Sequence, residues 1–188
     1  LGEIPAFRNA FLLFRNPIAG VLAGAVLTAV IQSSSASVGI LQALAVTGQV
    51  PFSAAIPIIM GQNIGTCVTA ILSSVGANKN AKRAATVHLS FNCIGTVVWL
   101  LVFWAVKAFF RPALLDEPAT LFGIAAVHTV FNLLCLLLML PLSGALERLV
   151  TRIVPDEKRP EEYSELDERL FAAPSIALER GHKVAGDM

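Results

Sequence analysis

The sequence predicts an all-α integral membrane protein, and three observations carry that prediction. The chain of 188 residues is 55% hydrophobic and only 14% charged, against about a quarter charged in soluble domains. Its charge is segregated, with most of it beyond Ser143 and no Asp, Glu, Lys, Arg or His from Asn16 to Asn78. The apolar stretches are also punctuated by helix start and stop signals at lengths comparable to a bilayer crossing.

Asn16-Pro17 predicts a helix start, an N-cap followed by proline at the first helical position. That helix runs to about Ile31, roughly 22 Å at 1.5 Å per residue, which is short of a bilayer core of about 30 Å. A second short apolar arm runs from Ala36 to about Val46. Between them lies Gln32-Ser33-Ser34-Ser35. One long helix and a re-entrant hairpin with this polar run at its tip are both conceivable. The hairpin is preferred, because irregular backbone at membrane depth is tolerated where it lines a cavity. Gly20, Gly24 and Thr28 lead to Gln32 at steps of four, a stripe that also suits helix packing.

Residues 51–76 have the length of one crossing, but Gly61-Gln62-Asn63-Ile64-Gly65-Thr66 sits in the middle. The segment is expected to be a discontinuous helix, unwound near mid-membrane. Interrupted hydrophobic segments of this kind point to a transporter binding site. Residues 77–83 form a basic turn, and two further transmembrane helices follow, at about Ala84–Phe110 and Ala119–Leu140. Leu142, Leu146, Leu149, Val150 and Ile153 then share one helical face, which predicts an interfacial amphipathic helix. A charged tail follows, with helix expected again near "ELDERLF". Three regions result: an N-terminal flank over 1–15, a transmembrane unit over 16–141, and an exit helix with tail over 142–188.

If the hairpin is re-entrant, Lys79, Lys82, Arg83, Arg148, Arg152, Lys158 and Arg159 share one side. Arg8, Arg15, Lys107 and Arg111 face the other. The positive-inside rule makes the first side cytoplasmic, and the tail with it, in a multi-pass protein of the cell membrane. The chain begins at Leu1 and reads as a piece of a longer one.

Neutral hydrogen-bonding groups this dense need partners, since an unpaired one in hydrocarbon costs several kcal/mol. If Ser35 or Ser37 opens the second arm, its free N–H groups point into the tip. Helix N-termini attract anions, and serine hydroxyls donate as well. Unwound carbonyls over Gly61–Gly65, with the Asn63 and Thr66 side chains, are hard oxygen ligands suited to sodium. An anion beside a cation lowers the cost of burying either. Helix packing and side-chain bonds back to helical carbonyls are the plainer readings of both motifs.

"HLSFN" (88–92) and "HTVFN" (128–132) echo each other in successive crossings. His88 and Asn92, like His128 and Asn132, share a helix face, and hydrogen bonds tying the two crossings together are expected. Cys67, Cys93 and Cys135 sit in apolar segments without a CxxC pair, so they read as small buried hydrophobes rather than metal ligands. No cofactor is implied. A net charge of +1 speaks against nucleic acid. The absence of GxSxG, HExxH and paired carboxylates in the apolar region speaks against an enzyme.

"TAVIQSSSASVGILQALAVTG" followed by "IPIIMGQNIGTCVTAILSSVGANKNAKRAA" resembles the second repeat of the sodium-dependent phosphate cotransporter family, most closely its bacterial type II-like branch. The resemblance covers about residues 16–145. It implies symport of inorganic phosphate with sodium in the lipid bilayer, built on two inverted repeats that each carry a QSSS hairpin. It places Gln32, Ser33, Ser34 and Ser35 in the phosphate site, and Gln62, Asn63 and Thr66 in the sodium-binding broken helix. The tail resembles the approach to a PhoU-like domain. Only one QSSS occurs here, so this chain is expected to form one inverted-repeat half, with a second QSSS repeat as partner. A symporter of sulfate or a dicarboxylate, or a membrane-anchored regulator of phosphate status, are the alternatives.

Overall fold

The computed structural model describes residues 16–155 and 174–186. Asn16 caps the first helix as its sequence requires, with Oδ1 accepting from the Ile18 N–H at 3.0 Å. This helix, α1, is Pro17–Ile31. It ends where Gln32 enters the left-handed region at φ 56°, a conformation most side chains avoid. Ser33 is extended and caps α2 (Ser34–Ala45), its Oγ accepting from the Ala36 N–H at 3.3 Å. The second arm therefore opens at Ser34, one residue before the earliest position expected.

Thr28 and Ser37 show what the turn accomplishes. In one continuous helix, residues nine apart would be separated by about 13 Å along the axis. Instead the Thr28 hydroxyl donates to Ser37 Oγ at 2.7 Å, so the chain doubles back at Gln32-Ser33. The buried positions mirror each other about this turn, Gly20, Gly24 and Thr28 in α1 against Ser37, Leu41 and Ala45 in α2.

The next span is α3 (Phe52–Gly65) followed by α4 (Cys67–Ser74). The unwinding expected over Gly61–Gly65 is not there. Those residues are helical, and the interruption is Thr66 alone, with dihedrals still in the helical range at φ −62° and ψ −24°. The glycines serve another purpose. Gly20 and Gly24 of α1 pack on Pro57, Ile58 and Gln62 of α3, and Gly61 and Gly65 of α3 on Val21, Ala25 and Thr28 of α1, with a Cβ on Gly24 meeting the Ile58 carbonyl and one on Gly61 meeting that of Val21. Two small-xxx-small stripes packed against each other bring the backbones together, which is how helices associate without a hydrophobic driving force.

The helix α5 is Lys79–Phe109, 31 residues or about 46 Å. It begins earlier than expected because Asn78 caps it, accepting from the Ala81 N–H at 3.0 Å. Lys79, Lys82 and Arg83 thus belong to its first turns rather than to a loop. A 3-10 turn (Ala113–Asp116) leads to α6 (Leu121–Met139), capped by Thr120. The amphipathic α7 (Ser143–Ile153) follows. Phe52–Ser74, Lys79–Phe109 and Leu121–Met139 are long and apolar enough to cross a membrane, and α1 and α2 are shorter. Among the described residues the fold is all-helical, that of a multi-pass membrane protein.

The core joins α2, α3, α5 and α6 through Leu41, Ile59, Phe103, Ile124 and Phe131. The strap after α2 is pinned to the strap before α6, with the Ala119 N–H donating to the Val50 carbonyl at 2.8 Å and that of Phe52 to Glu117 at 3.0 Å. A second compact unit runs from Pro155 and contains α8 (Pro174–Gly186). The helix expected near "ELDERLF" lies outside the described residues.

Candidate functional site

The tip and the α3–α4 junction are neighbours. A Cβ added to Gly65 would sit 2.7 Å from Thr28 Cβ, so the junction packs on α1 one turn before the tip. Gln62 forms the link to α2. Its side chain is 1% exposed and donates from Nε2 to the Ser37 carbonyl at 3.0 Å. Thr28, Ser37 and Gln62 therefore form a buried polar chain across three helices. Gln62 Oε1 is left without a hydrogen-bond partner, and an orphaned buried oxygen of this kind suits a bound water or cation.

The expected anion residues are arranged differently. Gln32, Ser33 and Ser35 are exposed, and Ser34 is half-buried. The first N–H groups of any helix lack intrahelical partners, so Ser34 and Ser35 bring amides as well as hydroxyls to the open start of α2. No lysine or arginine lies near in sequence. An anion here would be held by neutral donors and the helix end alone.

Asn63 and Thr66 turn their donors onto their own helix. Asn63 Nδ2 donates to the Ile59 carbonyl at 2.9 Å, and the Thr66 hydroxyl to that of Asn63 at 2.5 Å. Thr69 does the same toward Thr66 at 3.0 Å. Such back-bonding satisfies a polar side chain within a helix.

Sequence reasoning placed Thr28 in a packing stripe and Ser37 as a candidate start of the second arm, and did not pair the two. Their signal was present in the step of four from Gly20 and in Ser37 following the triple serine. Thr28→Val should lower stability by about 1–3 kcal/mol, because it leaves a buried hydroxyl without its donor. The exposed Ser35→Ala should stay within about 0.5 kcal/mol. Thermal unfolding in detergent measures both, and equal effects would show that the polar chain contributes nothing to folding.

The paired histidine motifs are also local. Asn92 Nδ2 donates to the His88 carbonyl at 3.0 Å, and Asn132 Nδ2 to that of His128 at 2.8 Å. The expected bonds between these two crossings are thus replaced by closure within each helix. Asn92 also reaches Cys67 Sγ at 3.4 Å, tying α5 to α4. Cys67 and Cys135 are buried and Cys93 partly so, all as free thiols.

Three helices of membrane-crossing length, with two short helices joined at a polar turn, fit a multi-pass membrane protein, and comparison with known proteins narrows the class. The profile of the Na+/Pi-cotransporter family matches residues 7–139. The chain belongs to that family. It is 37% identical over 135 residues to Uncharacterized protein YqeW of Bacillus subtilis (strain 168), covering 72% of this chain and 43% of that one. It is 43% identical over 98 residues to sodium-dependent phosphate transport protein 2A of Rattus norvegicus, covering 49% of this chain and 15% of the relative. For sodium-dependent phosphate transport protein 2B of Homo sapiens the identity is 39% over 102 residues, covering 51% and 15%. The chain thus spans less than half the length of these relatives. No solved structure matches it.

Proposed function

We propose that this chain supplies one half of the binding site of a sodium-coupled symporter of inorganic phosphate. The observation that carries the proposal is the open start of α2, where Ser33 caps the helix and Ser34 and Ser35 bring its first N–H groups and their hydroxyls beside the Gln62–Ser37 link. Neutral donors suit a transported anion, which must leave again as readily as it binds. Gln62 Oε1, Asn63 and Thr66 stand on the adjoining helix as oxygen donors for sodium. Sodium-dependent phosphate transport is what the 2A and 2B relatives are named for.

In this reading α1 and α2 form a re-entrant hairpin whose tip lies at membrane depth. Two contacts favour it. The start of α1 lies beside Leu100 and Trp104 in the last third of α5. The end of α2 meets the start of α6, with Gln42 Nε2 donating to the Leu121 carbonyl at 3.0 Å. Both outer ends are therefore level with the same end of the crossings. Cysteines placed at Arg15 and Thr47 are expected to label from one side of the membrane. Labelling from opposite sides would replace the hairpin with a crossing. By the positive-inside rule the tail is cytoplasmic, leading toward a PhoU-like domain.

The site assignment is tested in the assembled transporter, reconstituted with an inward sodium gradient and labelled phosphate. Ser34→Ala should weaken phosphate dependence by about 1–3 kcal/mol, the worth of a lost buried partner. Thr66→Ala should shift the sodium dependence instead. If neither dependence moves, both polar clusters serve packing alone.

A further inference from the structure

The H-x-x-F-N motif occurs twice, and its two asparagines differ in what they find. Asn92 of α5 is 5% exposed, and its amide nitrogen donates twice inside the chain, to the His88 carbonyl and to Cys67 Sγ of α4. Asn132 of α6 is exposed and donates once, to the His128 carbonyl. One of its N–H groups and its Oδ1 acceptor are left without a partner among the described residues. We propose that this face of α6 packs against the same face of a second copy of the chain, inserted in the same sense, with Asn132 paired to Asn132 across a twofold axis.

Depth makes a cover necessary. The helix α6 has 19 residues, about 28 Å, which matches a hydrocarbon core of about 30 Å. Asn132 lies within about 3 Å of its midpoint. Lipid offers an amide no partner there, and each unsatisfied group costs several kcal/mol. Polar side chains inside a membrane therefore face protein or a water-filled cavity.

The rest of the face has the form of a helix–helix seam. Phe122, Ala125, Thr129, Asn132 and Leu136 recur at alternating steps of three and four, and all five are exposed. A period of 3.5 residues keeps a seam facing its partner over successive turns. Ala125 and Thr129 are small enough for close approach of two helices. Phe122, at 83% exposed, and Leu136, at 47%, bound the seam with large apolar groups. A hollow of about 360 Å³ over His128, Thr129, Asn132, Leu133 and Leu136 leaves room for a facing side chain.

Complementarity selects the occupant. Asn132 lacks one acceptor and one donor, and an identical Asn132 across a twofold axis supplies both. A single asparagine in such a seam fixes register and oligomer state. Identical chains carry identical charge and insert in the same sense, and a parallel pair sets the two amides level. The seam shares no residue with the Gln32–Ser35 tip or the Gln62–Ser37 link, so the inference stands apart from the proposed phosphate site.

The test uses the whole chain in liposomes, with Cys67, Cys93 and Cys135 replaced by alanine and single cysteines placed along α6. Oxidation should join two copies through Phe122→Cys, Thr129→Cys and Leu136→Cys, but not through Val130→Cys or Leu137→Cys, which point elsewhere on the helix. Asn132→Leu should weaken self-association about tenfold, read by dilution of labelled chains in lipid, and Asn132→Gln should retain most of it. Cross-linking that is absent or uniform around α6, or association indifferent to Asn132→Leu, overturns the proposal. The same cysteines are then tried with the segment that carries the second QSSS repeat present. Pairs that persist support the self-interface, and pairs that vanish assign this face to the other repeat and overturn it. If the cysteine-free background does not fold, a photo-crosslinking residue at Thr129 in the native chain decides it. Adducts between two copies support the interface, and adducts with lipid alone overturn it.

Discussion

Gly61→Ala should cost about 3 kcal/mol or more and leave little monodisperse protein, the largest loss expected of any single methyl group in this chain. The new Cβ would meet the Val21 carbonyl, and the three nearest atoms are all backbone of α1. A side chain can swing away from an added methyl, but a helix backbone cannot. The helix α1 must then lift off α3, breaking the register that holds Gly24 against Ile58 and Gly65 against Ala25. Gly39→Ala in α2 is the control, since nothing lies within 4 Å of its Cβ position. It should be neutral, or stabilising by up to about 1 kcal/mol through helix propensity. Size-exclusion profiles and unfolding midpoints compare the two, and similar behaviour would show that the α1–α3 interface is wrongly drawn.

Those glycines also show where the sequence stops being informative. A glycine in an apolar segment serves either backbone freedom or close approach, and the letter is the same for both. Gly61 and Gly65 were expected to unwind the helix. Among the described residues the positive-φ glycines are Gly48 and Gly76, both in turns between helices. Polar neighbours at Gln62 and Asn63 made unwinding the natural inference, but those side chains find partners without it. The ends of α1 were visible because Asn-Pro and a charge-free serine run have few other physical uses. The start of α5 was not, since three basic residues read as a loop until Asn78 is recognised as a cap. The partner of Gln62 is a backbone carbonyl 25 residues away. No side-chain pattern encodes an acceptor that every residue carries.

Reconstituted in liposomes by itself, this chain should give no sodium-dependent phosphate uptake above empty vesicles. The reason lies in the exposure of the tip. Gln32, Ser33 and Ser35 are open, yet a hydrocarbon environment would penalise each unpaired group by several kcal/mol. In the proposed half-site, one turn and one helix junction enclose only part of an ion, and a second, inverted QSSS element is the partner proposed to cover the remainder. Two copies of this chain inserted in opposite senses would also provide it. Such dual insertion requires nearly balanced lysine and arginine on the two sides, whereas in the proposed topology the residues up to Arg159 divide seven against four. The charged tail biases orientation further, and an antiparallel pair is disfavoured. Adding the segment that carries the second QSSS repeat should restore uptake from nothing, a larger change than any single substitution produces. Uptake by this chain alone, driven by an inward sodium gradient, would instead establish the antiparallel pair and end the argument that its site is only a half.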